Sequence, residues 1–193
     1  MQYDRAFIKP NEIPPGSNHF GHLVETYASE TNKVADIWAH VPDEQLDYRI
    51  HPKSSSVRQI LIHQILSERR FFGEFLGFNE PSVELLLPSG EAPRVQAYID
   101  RFVDLARARL EPIAAADEHY WLSETPFFDV HRQRIWIFWR RVLHTAHHRT
   151  QVGMCLRQLE IHLPATYGPS ADVSWTGADP TITLAAAKRG GTR

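Results

Sequence analysis

The sequence predicts an all-α fold, a four-helix bundle followed by an irregular C-terminal tail. Three observations carry this expectation. Apolar residues recur at helical spacing in four separate stretches, and connections bearing Pro and Gly divide those stretches. Finally, 193 residues with 42% hydrophobic content suffice for one good core but not for several.

Residues 1–16, interrupted by Pro10, Pro14 and Pro15, read as an extended lead-in. From Ser17 the residues Phe20, Leu23, Val24, Tyr27, Val34, Ile37, Trp38 and Val41 follow a helical stripe that Pro42 stops. A polar segment, 43–55, contains Pro52 and leads to Ser56, which with Gln59 forms a capping-box signature. A second helix is therefore expected from about Val57 to Leu76, burying Ile60, Leu61, Ile65, Phe72 and Phe75. Gly77, Pro81, Pro88 and Gly90 mark a connection. A third helix begins near Pro93 with the stripe Val95, Tyr98, Ile99, Phe102, Leu105, Ala106 and Leu110, and Pro112 kinks or ends it. The stretch 117–130 reads as irregular or weakly extended. The fourth and longest helix runs from about His131 to Leu159. Everything after Pro164 is punctuated by Gly and Pro, and the terminal KRGGTR is expected to be flexible. The resulting division is a lead-in of residues 1–16, a bundle over 17–172 and a tail over 173–193.

Composition removes several classes of function. Twenty-one basic against 23 acidic residues leave a net charge of −2, which is no electrostatic footprint for nucleic acid. No run of about 18 apolar residues is present, so no membrane span is expected. The first residues carry no apolar core of a signal peptide. A single cysteine, Cys155, excludes an internal disulfide framework and fits a reducing cytoplasm.

The 11 histidines are the unusual count. On the fourth helix His144 and His148 are four residues apart, a rotation of about 40° and a rise of about 6 Å, so both imidazoles leave one face. Gln151, Cys155 and Ile137 share that stripe. His147 is about 60° from His144 and about 100° from His148, which makes it a flanking residue. Cys155 lies about 10 Å beyond His148 along the axis, too far to join the same ion, and reads as an inert core residue. Two imidazoles on one face can grip a divalent ion, and a third from another helix would leave open positions on it. Of the remaining histidines, His19, His22 and His40 fall on the first helix or at its end, and His51 in a loop. His119, His131 and His162 fall in irregular segments or at helix ends. Only His63 is mid-helix in an apolar setting, where a bundle-core ligand is expected. Spacing alone leaves open that all of them are ordinary core and surface residues.

The wider pattern is more specific. His144-x-x-His147-His148-Arg149-x-Gln151 is preceded by Trp136-x-x-Trp139-Arg140-Arg141 and followed by Leu156-Arg157-Gln158-Leu159. The start of the second helix reads Ser56-Val57-Arg58-Gln59-Ile60-Leu61-Ile62-His63, and the segment Pro164 to Asp172 follows the last helix. Together these resemble the DinB-like family of bacterial metal-binding four-helix bundles over roughly residues 17–172. The resemblance implies three histidine ligands to a divalent transition metal, His63, His144 and His148. Arg149 and Gln151 match the family signature without being implied ligands, and Thr150 stands where the family usually has Gly. The family is similar to transferases that conjugate small-molecule thiols to electrophiles and to a thiol-dependent isomerase. Its founding members are damage-inducible.

Two functions follow as expectations beside the ordinary-histidine reading. The first is a metal-dependent enzyme that binds a low-molecular-weight thiol at zinc or nickel, since imidazole ligation suits both, and transfers it to an electrophile. Arg140 or Arg141 could face an anionic thiol, but both read more simply as solvated arginines. Glu68, about 140° from His63, is a poor general acid or base. The second is a non-catalytic, metal-stabilised bundle acting in stress response, sensing or partner binding. The aromatics Trp136, Phe138 and Trp139 widen the apolar surface of the last helix and point to a homodimer. Tyr167 and Trp175 are candidates to pack on the bundle.

Overall fold

A computed structural model describes residues 5–90, 93–167, 171 and 172. The chain runs through a 3-10 turn (Pro10–Glu12), α1 (His22–Trp38), α2 (Val57–Arg70), α3 (Val95–Ala115), the short α4 (Glu118–Leu122), the hairpin strands β1 (Glu124–Phe127) and β2 (Val130–Gln133), and α5 (Arg134–Gln158). The four long helices form the bundle: α1 packs on α3 and α5, and α2 packs on α5 and α3. The expectations for the tail from residue 173 onward, Trp175 and KRGGTR included, lie outside the described residues.

Local chemistry sets the helix ends. Ser56 Oγ accepts from the Gln59 amide at 3.3 Å while Gln59 Oε1 accepts from the Ser56 amide at 3.0 Å, a complete capping box. This fixes the start of α2 at Val57, eight residues before Ile65, the last buried aliphatic of that helix. The helix does not stop at Arg70. It continues as one π-helical turn, Phe71–Phe75, which inserts Phe71, Phe72 and Phe75 into the core before Gly77 (φ 80°) turns the chain. In α3, Pro112 neither ends nor breaks the helix until Ala115, because it lies in the last turn, where little of the helix remains to be disrupted.

The core is a single cluster in which Trp38, Leu61, Ile65, Phe102, Ile137, Phe138 and Val152 are essentially sealed from solvent. Side chains of this size contribute about 1.5–3 kcal/mol each on burial. Phe138 therefore belongs to the core and not to the outer aromatic surface expected from the sequence, whereas Trp136 and Trp139 are exposed.

Two regions differ from the sequence reading. The lead-in is not merely extended: Ile8 is buried, and Asn32 of α1 accepts the Phe7 and Ile8 amides at 3.1 and 2.7 Å while donating to Ile8 O at 2.9 Å. The stretch 117–130 holds α4 and most of a two-stranded antiparallel hairpin, with Glu124 opposite Gln133 and Phe127 opposite Val130. Residues 131–133, expected in the last helix, are strand because they pair with β1, and α5 starts at Arg134, whose amide donates to Ser123 O at 3.1 Å. Phe127 then packs on Phe71, Phe75 and Trp136, so the hairpin closes the bundle end next to the π-turn.

Candidate metal centre

On α2 the core-facing residues are Ile60, Leu61, Gln64, Ile65 and Glu68, which leaves His63 on the flank. On α5 the buried set is Ile137, Phe138, Arg141, Thr145, Arg149, Val152, Cys155 and Leu156, which leaves His144 and His148 partly buried at its edge. Where the two helices meet, the three imidazoles converge. His63 Nε2 is 3.3 Å from His144 Nε2, and His148 Nε2 is 3.2 Å from His144 Nε2. Among the described residues these three form the one cluster whose ligand atoms lie together, all within 4.8 Å.

The donor set fits a divalent ion. Imidazole nitrogens about 2.0–2.1 Å from a tetrahedral centre stand about 3.3–3.4 Å apart, the separation found between the nearest pairs. His148 Nδ1 donates to Gln151 Oε1 at 2.7 Å, which fixes the tautomer that leaves Nε2 free to ligate. Gln151 Nε2 in turn donates to His147 Nε2 at 3.2 Å, so the exposed His147 stands one residue behind the cluster. Without a cation the three facing nitrogens cannot all be satisfied by one another. A neutral imidazole brings one N–H and one acceptor, and His148 has already committed its N–H to Gln151.

His144 is held differently. Its Nδ1 lies 2.9 Å from Arg141 Nη1 and 3.4 Å from Ser67 Oγ. A guanidinium has donors only, so Nδ1 accepts and the ring proton sits on Nε2. A metal held at Nε2 would require the ring proton on Nδ1, where Ser67 Oγ, 3.4 Å away, could accept it. Burial, then the charge of Arg141, then His148 push the His144 imidazole down to about 3. Burial, the largest cause for both, also lowers His63 and His148. All three rings are therefore neutral imidazoles near pH 7.

Beside the cluster opens a cavity of about 440 Å³, lined by Ile50, Ile60, Met154 and Cys155 together with Lys53, Gln151, His63 and His148. Cys155, expected to be an inert core residue, is buried, and burial pushes its thiol up, yet it forms part of this wall.

Sequence reasoning missed two buried ion networks. Arg141 is not solvated: it is 1% exposed and lies 3.3 Å from Glu68 Oε1 and 3.3 Å from Gln64 O. Arg140, by contrast, is exposed. Glu68 also holds Arg109 at 2.9 Å, and Arg109 makes a bidentate contact with Glu80, 2.6 Å on each side, and donates to Tyr27 Oη at 3.0 Å. Glu68, already a poor acid–base candidate by its angle, is thus committed to two arginines. The second network ties α5 to α1, with Glu30 accepting from Arg149 at 2.8 Å, Tyr167 at 2.7 Å and Lys33 at 2.5 Å. This gives Arg149 of the histidine motif a structural role, and it seats Tyr167 against the bundle. The available signal was position: Arg109, Arg141 and Arg149 all fall within apolar helical stripes. Two further pairs of rings involve histidines outside the cluster. His22 packs near Trp139 and His40 near His162.

Residues 16–177 match the model of the DinB family. Among solved structures, the chain is similar to a DinB-like protein from Bacillus cereus, with 17% identity, a TM-score of 0.64, and coverage of 75% of this chain and 95% of that one. A DinB-like protein from Bacillus subtilis aligns with 14% identity and a TM-score of 0.61, over 76% of this chain and 97% of that one. None of the curated proteins matches it.

Proposed function

The chain belongs to the DinB family, and on that footing we propose that it is a metal-dependent enzyme that holds a low-molecular-weight thiol at a divalent ion and transfers it to an electrophile. The observation that carries this reading is the convergence of three neutral imidazoles, two of which, His63 and His148, line a cavity large enough for a small molecule. His63, His144 and His148 hold the ion, and Gln151 keeps the His148 ring in its ligating tautomer. A bound zinc or nickel ion supplies Lewis acidity that favours the thiolate form of a thiol at neutral pH. Ile50, Ile60 and Met154 pack around the organic part of the thiol and exclude water from the sulfur. The reducing cytoplasm is the setting that keeps such a thiol available. The test is thiol consumption by tag-free, metal-loaded protein against a panel of thiols and electrophiles. Metal-dependent turnover supports the reading, and a fully loaded site with no turnover across several thiols overturns it.

A second reading has its own observation. None of the described residues lining the cavity is acidic, and the histidines join α2 to α5, so an ion bound there would staple the bundle without chemistry. In that case the protein is a metal-stabilised module for stress response, sensing or partner binding. A homodimer is part of the proposal in either form. Trp136, Trp139, Leu143 and Met154 stand exposed along one side of α5, a face suited to a second copy. Sedimentation of the wild type against Trp139→Ser and Leu143→Ser tests it.

A further inference from the structure

Arg141 is the part of the site that three histidine ligands alone do not require. Its guanidinium is sealed in the bundle and placed 2.9 Å behind His144, on the nitrogen opposite the converging Nε2 atoms. Glu68 at 3.3 Å, Gln64 O at 3.3 Å and the Phe71 ring at 5.8 Å hold it from the other sides, so it cannot turn out to water. A metal-bound histidine ordinarily gives its second N–H to a carboxylate, carbonyl or water, which feeds electron density toward the ion. Here the nearest partner behind the ring is a permanent cation that has donors only, with Ser67 Oγ, 3.4 Å from Nδ1, as a more distant acceptor. Glu68 and Glu80 together balance Arg141 and Arg109, but the Arg141 guanidinium stands nearer to His144 Nδ1, at 2.9 Å, than to Glu68, at 3.3 Å, so the pair presents its positive end to the ring. On the open side, among the described residues lining the cavity, Lys53 is again a cation and none is acidic.

We propose that Arg141, acting through His144, makes the open side of the metal centre a receptor for anionic ligands while weakening its hold on the bare cation. Both effects follow from one placement. A positive charge next to the ligand ring repels the incoming ion, and an N–H at Nδ1 would face the Arg141 donor at 2.9 Å, with Ser67 Oγ the farther acceptor at 3.4 Å. Once an ion is in place, the same charge adds to its field and favours an anion over a neutral ligand in the open position. This rests on the three-histidine metal reading but not on thiol transfer.

Cobalt is the probe metal, with azide as the anion and imidazole as the neutral ligand, each followed through the visible absorption of the cobalt-loaded, tag-free protein. Arg141→Gln is expected to bind cobalt about tenfold more tightly and azide about tenfold more weakly, with imidazole affinity within about twofold of wild type. Arg141→Lys, which keeps the charge, is expected to stay within about threefold of wild type for azide. Arg141→Met carries the same expectations as the glutamine variant and replaces it if that variant does not fold. Azide and imidazole shifting together, or azide not shifting in a fully loaded variant, overturns the proposal and leaves the metal site standing. A wild-type protein that takes up no cobalt overturns the metal reading and this proposal with it.

Discussion

The ion network around Glu68 and the histidine cluster around His144 both place polar groups in an apolar bundle, one turn apart along α2 and joined through Arg141. They are completed in opposite ways. In the network each charge meets an opposite one: Arg109 with Glu68 and Glu80, Arg141 with Glu68, and Tyr27 accepting from Arg109. In the cluster three like groups point their nitrogens at a common centre at the rim of a cavity. A set of paired opposites is closed and holds the helices in register. A set of converging donors of one kind is complete only with a cation. On the proposed reading that difference separates structural polar groups from metal-holding ones, and substitutions on each side should have different signatures.

The largest effect belongs to the closed set. Glu68→Ala leaves Arg141 with no carboxylate partner and Arg109 with Glu80 alone, in a site nearly sealed from water, and is expected to destabilise the protein by about 3–5 kcal/mol. Urea unfolding at fixed metal concentration measures this, and a loss below about 1 kcal/mol would show that the network is not holding the bundle. On the open side, Gln151→Leu removes the acceptor that sets the His148 tautomer and is expected to weaken metal binding by about 10–100-fold with little change in unfolding of the metal-free protein. Competition with a chelator reads the affinity. If the metal-free protein is destabilised as much as the glutamate variant, the two regions are not distinct.

Acid provides a third comparison. An unfolded histidine titrates near 6.5, whereas folded His144 is held down to about 3, so between these values the unfolded chain binds more protons than the native one. The histidine contribution to stability is therefore present above about pH 6.5 and is lost as pH falls toward 3. Metal-free wild type should lose urea resistance between about pH 6.5 and pH 5, and His144→Leu should show a shallower slope over that interval. Equal slopes would contradict the account of His144. The smallest effect is expected of His147→Ala, which removes only an exposed acceptor of Gln151 and should change metal affinity by no more than about threefold.

What could be read in the sequence followed from local rules. The capping box at Ser56, the core stripe of α2 and the shared face of His144 and His148 are all consequences of helix geometry within a few residues. The hairpin at 124–133 was not legible as a hairpin, because β2 is exposed along its whole length and has no apolar alternation to announce it. The seat of Arg141 was not legible either. A charged residue three positions before a histidine looks solvated until Glu68, 73 positions earlier on another helix, is seen to meet it. Tyr167 likewise owes its place to Glu30 and Arg149, partners that no window of sequence contains together. Long-range polar pairing is what the sequence withheld.

The central claim is that His63, His144 and His148 together hold one divalent ion. Metal analysis of tag-free protein tests it most directly. The account predicts about one ion per chain in the wild type and in His147→Ala, and less than about a tenth of that in His63→Ala, His144→Ala and His148→Ala when each is folded. Full metal content in any of the last three, or loss of the ion in His147→Ala alone, would contradict it.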